Sequence, residues 1–249
     1  MLGNLLASGV QYTVQILELV LLVYLLSRGL WKRHAGVLVY VLSLLAVDEV
    51  VRRYFFHRYG LNSLAYAYSF WLTDVLLALE AFGLICIFFR RACVLQWWRV
   101  LRLSLIVVFV LVAAISYFSL AHHKDNLLHD FIYQFEQNLF FTCLVLNTLL
   151  FVMLQRIDGA DQELGLLVCG MGIQFAGPAA GLALVHVTQD WPAAYSILGQ
   201  SMPVCTLLML LLWFYAITAR QKDEKAVNRG SPSRLRVPVL VEAHGVSEV

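Results

Sequence analysis

Asp74 and Glu80 stand in a stretch, YSFWLTDVLLALEAF (68–82), that otherwise reads as the middle of a membrane span. A charged side chain at a bilayer centre costs about 2.5–3.5 kcal/mol on insertion scales. Acids kept at that cost bind something, relay protons, or tie helices together. Other polar residues fall at helical spacings. Gln11, Gln15 and Glu18 recur at i, i+4 and i+7 and so share one face. Tyr66, Thr73 and Glu80 are spaced by sevens along one stripe, and Asp74 points off it. His129, Tyr133 and Glu136 share a face with Gln137 beside them; Gln174 and His186, then Gln200 with Tyr195, Ser196 and Ser201, follow further on. For Glu18, Glu80 and Glu136 two readings stand side by side: a polar pocket or proton-linked site, and protonated glutamates bonding one helix to the next. Asp48, Glu49, Arg52 and Arg53 lie at i, i+3 and i+4, the spacing of structural ion pairs along one helix.

These residues need elements to position them, and composition says which. The 249 residues are 61% hydrophobic and 14% charged, with a mean hydropathy of +0.75. Soluble domains average about 45–50% apolar and about 25% charged residues. The excess divides into seven runs, 9–27, 35–53, 64–89, 100–121, 127–154, 163–187 and 194–218, each near the roughly 20 residues needed to cross a bilayer. Helices satisfy their own backbone in lipid, and the period-2 alternation of a membrane barrel is absent. The expected fold is an all-α membrane protein, a seven-transmembrane-helix bundle over 1–219. The tail, 220–249, mixes charge, Ser, Pro and Gly and reads as disordered. No cleavable signal peptide opens the chain, so the first run reads as a permanent span.

Of eighteen Lys and Arg residues, fourteen fall in the first, third and fifth connections and the tail, and four in the second and fourth. Cytoplasmic loops carry the excess of positive charge, which predicts the N-terminus outside, the C-terminus inside, and a multi-pass protein of the inner membrane. In that orientation nearly all the intramembrane polar residues lie in the outer half, while the inner halves read LVLLVYLL, LICIFF and LLMLLLWFYA. The asymmetry predicts an outward-facing pocket built by every span except the fourth, whose LSLIVVFVLVAAIS lacks ionisable residues. Its candidate lining is Gln15, Glu18, Tyr66, Thr73, Asp74, Glu80, Tyr133, Glu136, Gln137, Gln174 and Gln200.

Backbone signals mark the same depth. Gly177 and Gly181 form a small-xxx-small face, while Pro178 and Pro203 each free a carbonyl four residues earlier. AYSFWLTD (67–74) and AYSILGQS (194–201) share three opening residues, the trace of a 3+1+3 parallel repeat. Several chemistries lack their residues. No span holds the Lys of a retinal Schiff base, and there is no Walker motif, GxSxG or HExxH; the five Cys are scattered without CxxC and read as packing residues. Neither a cofactor, a metal nor nucleic acid is expected; an enzyme using Glu18, Glu80, Glu136 and the histidines is the weaker alternative.

Tyr66, Tyr68, Trp71 and Asp74 form a Tyr-x-Tyr...Trp-x-x-acid pattern that resembles the third helix of a set of uncharacterised seven-helix bacterial membrane proteins. The resemblance implies the fold and no activity, and it singles out Asp74 rather than Glu80. The sequence therefore predicts a receptor-like or sensory module that binds a small molecule and acts through a cytoplasmic or membrane partner. A small-solute or proton-coupled transporter and a structural partner subunit are the alternatives.

Overall fold

The computed structural model describes residues 2–60, 63–92, 98–120, 127–157, 161–187 and 192–230. Side chains are not described at 2–8, 98–101, 115–120, 127–134, 136, 178, 181–187, 192–200 and 222–230. Among the described residues there are helices and no strands: α1 Leu2–Ser27, a 3₁₀ turn Leu30–Lys32, α2 Ala35–Ala46, a π turn Val47–Arg52, α3 Arg53–Tyr59, α4 Leu64–Ala92, α5 Trp98–Leu120, α6 Leu127–Arg156, α7 Gln162–Val187 and α8 Pro192–Gly230. Four stretches are long and apolar enough to cross a membrane: Gly9–Ser27, Leu64–Ala92, Gln137–Arg156 and Ser201–Gln221. The chain is a helical membrane protein.

Side-chain exposure inverts the pattern of a soluble protein. Ile16, Leu19 and Val23 on α1, Leu103, Val107 and Val110 on α5, and Val145 and Leu149 on α6 all point outward. An apolar surface of this extent belongs in lipid. The core between α1, α2, α4, α6, α7 and α8 holds Leu21, Ile85, Phe88, Leu139, Met171, Phe175 and Trp213. Helix α5 lies at the edge, packed chiefly on α6, where Phe109 meets Phe82 and Phe135.

The most extensive packing joins α7 and α8, and glycine makes it so. A Cβ on Gly177 would come 2.2 Å from Cys205 Sγ, and one on Gly170 would come 2.8 Å from Trp213 Nε1. Without those atoms the helices approach closely enough for Trp213 to donate a 2.9 Å hydrogen bond to the Leu167 carbonyl. Gly177 thus has the predicted close contact, and Gly181 falls outside the described side chains. Asn147 similarly joins α6 to α7 by donating to the Val168 carbonyl at 3.0 Å, where Gly172 leaves room for its amide.

Two boundaries differ from the sequence expectation. The run predicted to end at residue 53 continues as helix to Tyr59, through the π turn at VDEVVR. It stops at Gly60, whose φ of 75° suits a residue without Cβ. Helix α8 carries on through Pro203 to Gly230, so 220–230, expected in the tail, is helical. Here the Tyr24 hydroxyl donates to Gln221 Oε1 at 2.8 Å, which fastens the first turn past the predicted end to α1. Residues 231–249 lie outside the described residues.

Candidate functional site

A cavity of about 530 Å³ lies between α1, α2, the π turn, α4, α6, α7 and α8. This is within the roughly 300–1,000 Å³ of small-molecule pockets. Its polar wall is Gln11, Gln15, Glu18, Asp48, Arg52, Asp74, Gln137, Gln174 and Thr206; Tyr40, Phe70, Trp71 and Phe140 supply aromatic faces.

The π turn builds one side. π turns inside α-helices concentrate at functional sites, and this one presents Asp48 and Arg52 to the cavity. Arg52 Nη1 donates to Asp48 Oδ1 at 2.8 Å, and Nη2 donates to Asp74 Oδ1 on α4. The guanidinium also lies 4.4 Å from the centre of the Phe70 ring. One cation is thereby shared between two carboxylates and an aromatic face. Arg53 pairs with Glu49 at 2.8 Å on the outer side of the same turn. The expected i, i+4 pairs are both present, and the bond from Arg52 to Asp74 adds a link between helices.

Glu18 enters from α1 with neither arrangement. It is 1% exposed, lines the cavity, and neither of its oxygens has a hydrogen-bond partner among the described residues. Gln174 Oε1 on α7 is likewise without a partner.

Of the predicted lining, the cavity thus brings together Gln15, Glu18, Asp74, Gln137 and Gln174, with Pro203 beside them. Three predicted residues lie elsewhere. Thr73 is buried and turns back to the Phe70 carbonyl at 2.7 Å, and Tyr66 packs edge-on against Phe56. Glu80 accepts a 2.9 Å hydrogen bond from Ser43 of α2. Seven residues below Thr73 and fourteen below Tyr66, the stripe faces α2. Tyr133, Glu136 and Gln200, with His129 and His186, fall outside the described side chains. Among the described residues no group of His, Cys, Asp and Glu could hold a metal ion.

At the opposite end lies a second charged centre, one that hydropathy and Lys/Arg counting missed. Glu163, in the first turn of α7, is 4% exposed. Its Oε2 accepts from Arg33 at 3.1 Å and Arg220 at 2.7 Å, with Arg91 at 3.7 Å. Asp161 accepts from Arg220 at 2.6 and 2.7 Å and from Arg91 at 3.2 Å. His34 is 4% exposed, and its Nε2 lies 3.1 Å from Glu163 Oε1 without the angle of a hydrogen bond, since that oxygen has none. Burial and the neighbouring arginines Arg91, Arg33 and Arg220 push the His34 pKa down to about 4. Burial raises that of Asp161, but the bond and charge of Arg220 outweigh it and the net direction is down. The knot joins the α1–α2 connection with the end of α4, the start of α7 and Arg220 within α8. A signal existed: the fifth connection carries three acids, Asp158, Asp161 and Glu163, and only Arg156, on the side otherwise rich in Arg and Lys.

Fold and site together define a class, a helical membrane protein with a charged cavity between its helices at one end and an ion-pair knot at the other. The chain matches no protein-family model, no curated protein and no solved structure.

Proposed function

We propose that this is a seven-span inner-membrane protein, N-terminus outside and C-terminus inside, that binds a small molecule in the cavity from the outer side. It acts as a receptor-like module through a cytoplasmic or membrane partner. One observation carries the reading: Glu18, an acid buried at α1, has no bonding partner among the described residues and borders a space large enough for a ligand. A carboxylate kept only to join helices is expected to face a donor, as Glu80 faces Ser43. The distribution of Lys and Arg supports the orientation, because Arg33, Arg91 and Arg220 of the knot all belong to the basic side.

A transporter is the second reading, favoured by the knot. Ion pairs linking separate helices at the closed end are contacts that alternating access could break and remake. Cysteine accessibility separates the two. In a background with the five native Cys replaced by Ala, Gln15→Cys is treated with a membrane-impermeant maleimide on intact cells and on inverted vesicles. The receptor reading expects labelling from the outer side alone, whereas labelling from both sides assigns transport. Labelling from the inner side alone overturns the orientation.

A further inference from the structure

We infer that the cavity takes a small organic cation carrying N–H donors, an amine in its ammonium form, with Glu18 as its counter-ion. The inference rests on the ligand-binding reading above and deepens it.

Charge inside the cavity is unequal. Glu18, Asp48 and Asp74 are the acids of its described wall, and Arg52 is the base. Arg52 is already held by Asp48 and Asp74 and by the face of Phe70, so it is turned to its own partners. Glu18 has two acceptor oxygens, both without a hydrogen bond among the described residues. In its ionised form a buried carboxylate requires a counter-charge and hydrogen-bond donors, and an ammonium group supplies both.

The surroundings narrow the cation. A bare metal ion wants about six or more oxygen ligands at fixed distances, and no such set occurs among the described residues. Apolar and aromatic groups line the same cavity instead: Val14, Tyr40, Leu77 and Phe140. Aromatic faces attract organic cations by their quadrupoles, and aliphatic side chains accommodate a hydrocarbon body. The unpartnered Gln174 Oε1 offers a second acceptor. A quaternary ammonium satisfies the aromatic faces but gives Glu18 no donor.

The test uses the full chain in detergent and three probes of one shape: 2-phenylethylammonium, 2-phenylethanol and phenylacetate, with tetramethylammonium and sodium chloride as separate arms. Thermal unfolding is followed at rising concentration. The expected result is a saturable rise in Tm of a few degrees with 2-phenylethylammonium alone. Glu18→Gln weakens that response by about 30-fold or more, as loss of one buried charge partner does, while Glu80→Gln, outside the cavity, retains it. An equal response to 2-phenylethanol or phenylacetate overturns the cation inference and leaves a ligand cavity standing. A response to tetramethylammonium or sodium chloride equal to that of the amine overturns the N–H requirement. No response to any probe overturns the inference. The ligand-binding reading falls as well only if Glu18→Gln also lowers Tm by more than a few degrees, which makes Glu18 structural. Should Glu18→Gln not fold, the comparison of probes on the unaltered chain still decides.

Discussion

The two charged centres hold similar residues and treat them oppositely. In the knot, Asp161 and Glu163 share Arg33, Arg91 and Arg220, and Glu163 Oε2 alone receives from two guanidiniums at 3.1 Å or less. In the cavity, one arginine serves two acids, and Glu18 is left unmatched among the described residues. Burial is as deep for Glu18 as for Glu163, so depth does not explain the contrast. Partnering does. A membrane protein can bury charge to hold itself together or to hold something else, and the donor supply within bonding distance tells which.

Glu163→Gln should separate the two centres most widely. It leaves arginines facing a neutral amide, and breaking a buried ion pair costs about 3–5 kcal/mol. At about 2–4 °C per kcal/mol for a chain of this size, Tm in detergent should drop by about 10 °C or more. A loss below 2 °C would strip the knot of its structural role.

Acid should loosen the knot. An unfolded His34 titrates near pH 6.5 and the folded one near 4, so between those values the unfolded chain binds a proton that the folded one refuses. Stability from this residue is therefore complete above pH 6.5 and lost as pH falls toward 4, by up to about 3 kcal/mol. His34→Gln should flatten the Tm profile across that window. Asp161, held below its usual range, contributes its loss only under more acid conditions.

Arg52→Gln should cost less, about 1–2 kcal/mol, because its side chain is one quarter exposed and solvent offsets part of the loss. Circular dichroism melts suffice to measure it. Glu18→Gln should have the smallest effect, within about 1 kcal/mol or a gain, since it relieves an unpaired acid without removing a bond. A drop in Tm matching that of Glu163→Gln would erase the distinction between the centres.

The sequence made much of the fold legible because lipid simplifies the code. Runs of Leu, Val and Phe announce helices, and helical spacing placed Gln15, Glu18, Asp74, Gln137 and Gln174 around one space. Where the residues meet across helices, spacing has less to say. Thr73 and Glu80 lie on one stripe with Tyr66, yet one satisfies its own helix and the other meets Ser43. The π turn was hidden because VDEVVR carries no breaker residue; its conformation accompanies the tertiary pairing of Arg52 with Asp74. The knot escaped notice because the topology rule weighs Lys and Arg and disregards acids. His34, Asp161 and Glu163 then look like ordinary loop chemistry.

That same knot sets an order of events during synthesis. Arg33 and Arg91 emerge long before Asp161 and Glu163, and Arg220 follows them. In the proposed orientation, the first two are bare positive charges while the early spans insert, free to hold their connections in the cytoplasm. Only when α7 arrives are they neutralised, and α8 then closes the cluster with Arg220. In that orientation the residues that orient the nascent chain are later retired into its architecture, and one set of arginines serves both insertion and the finished fold.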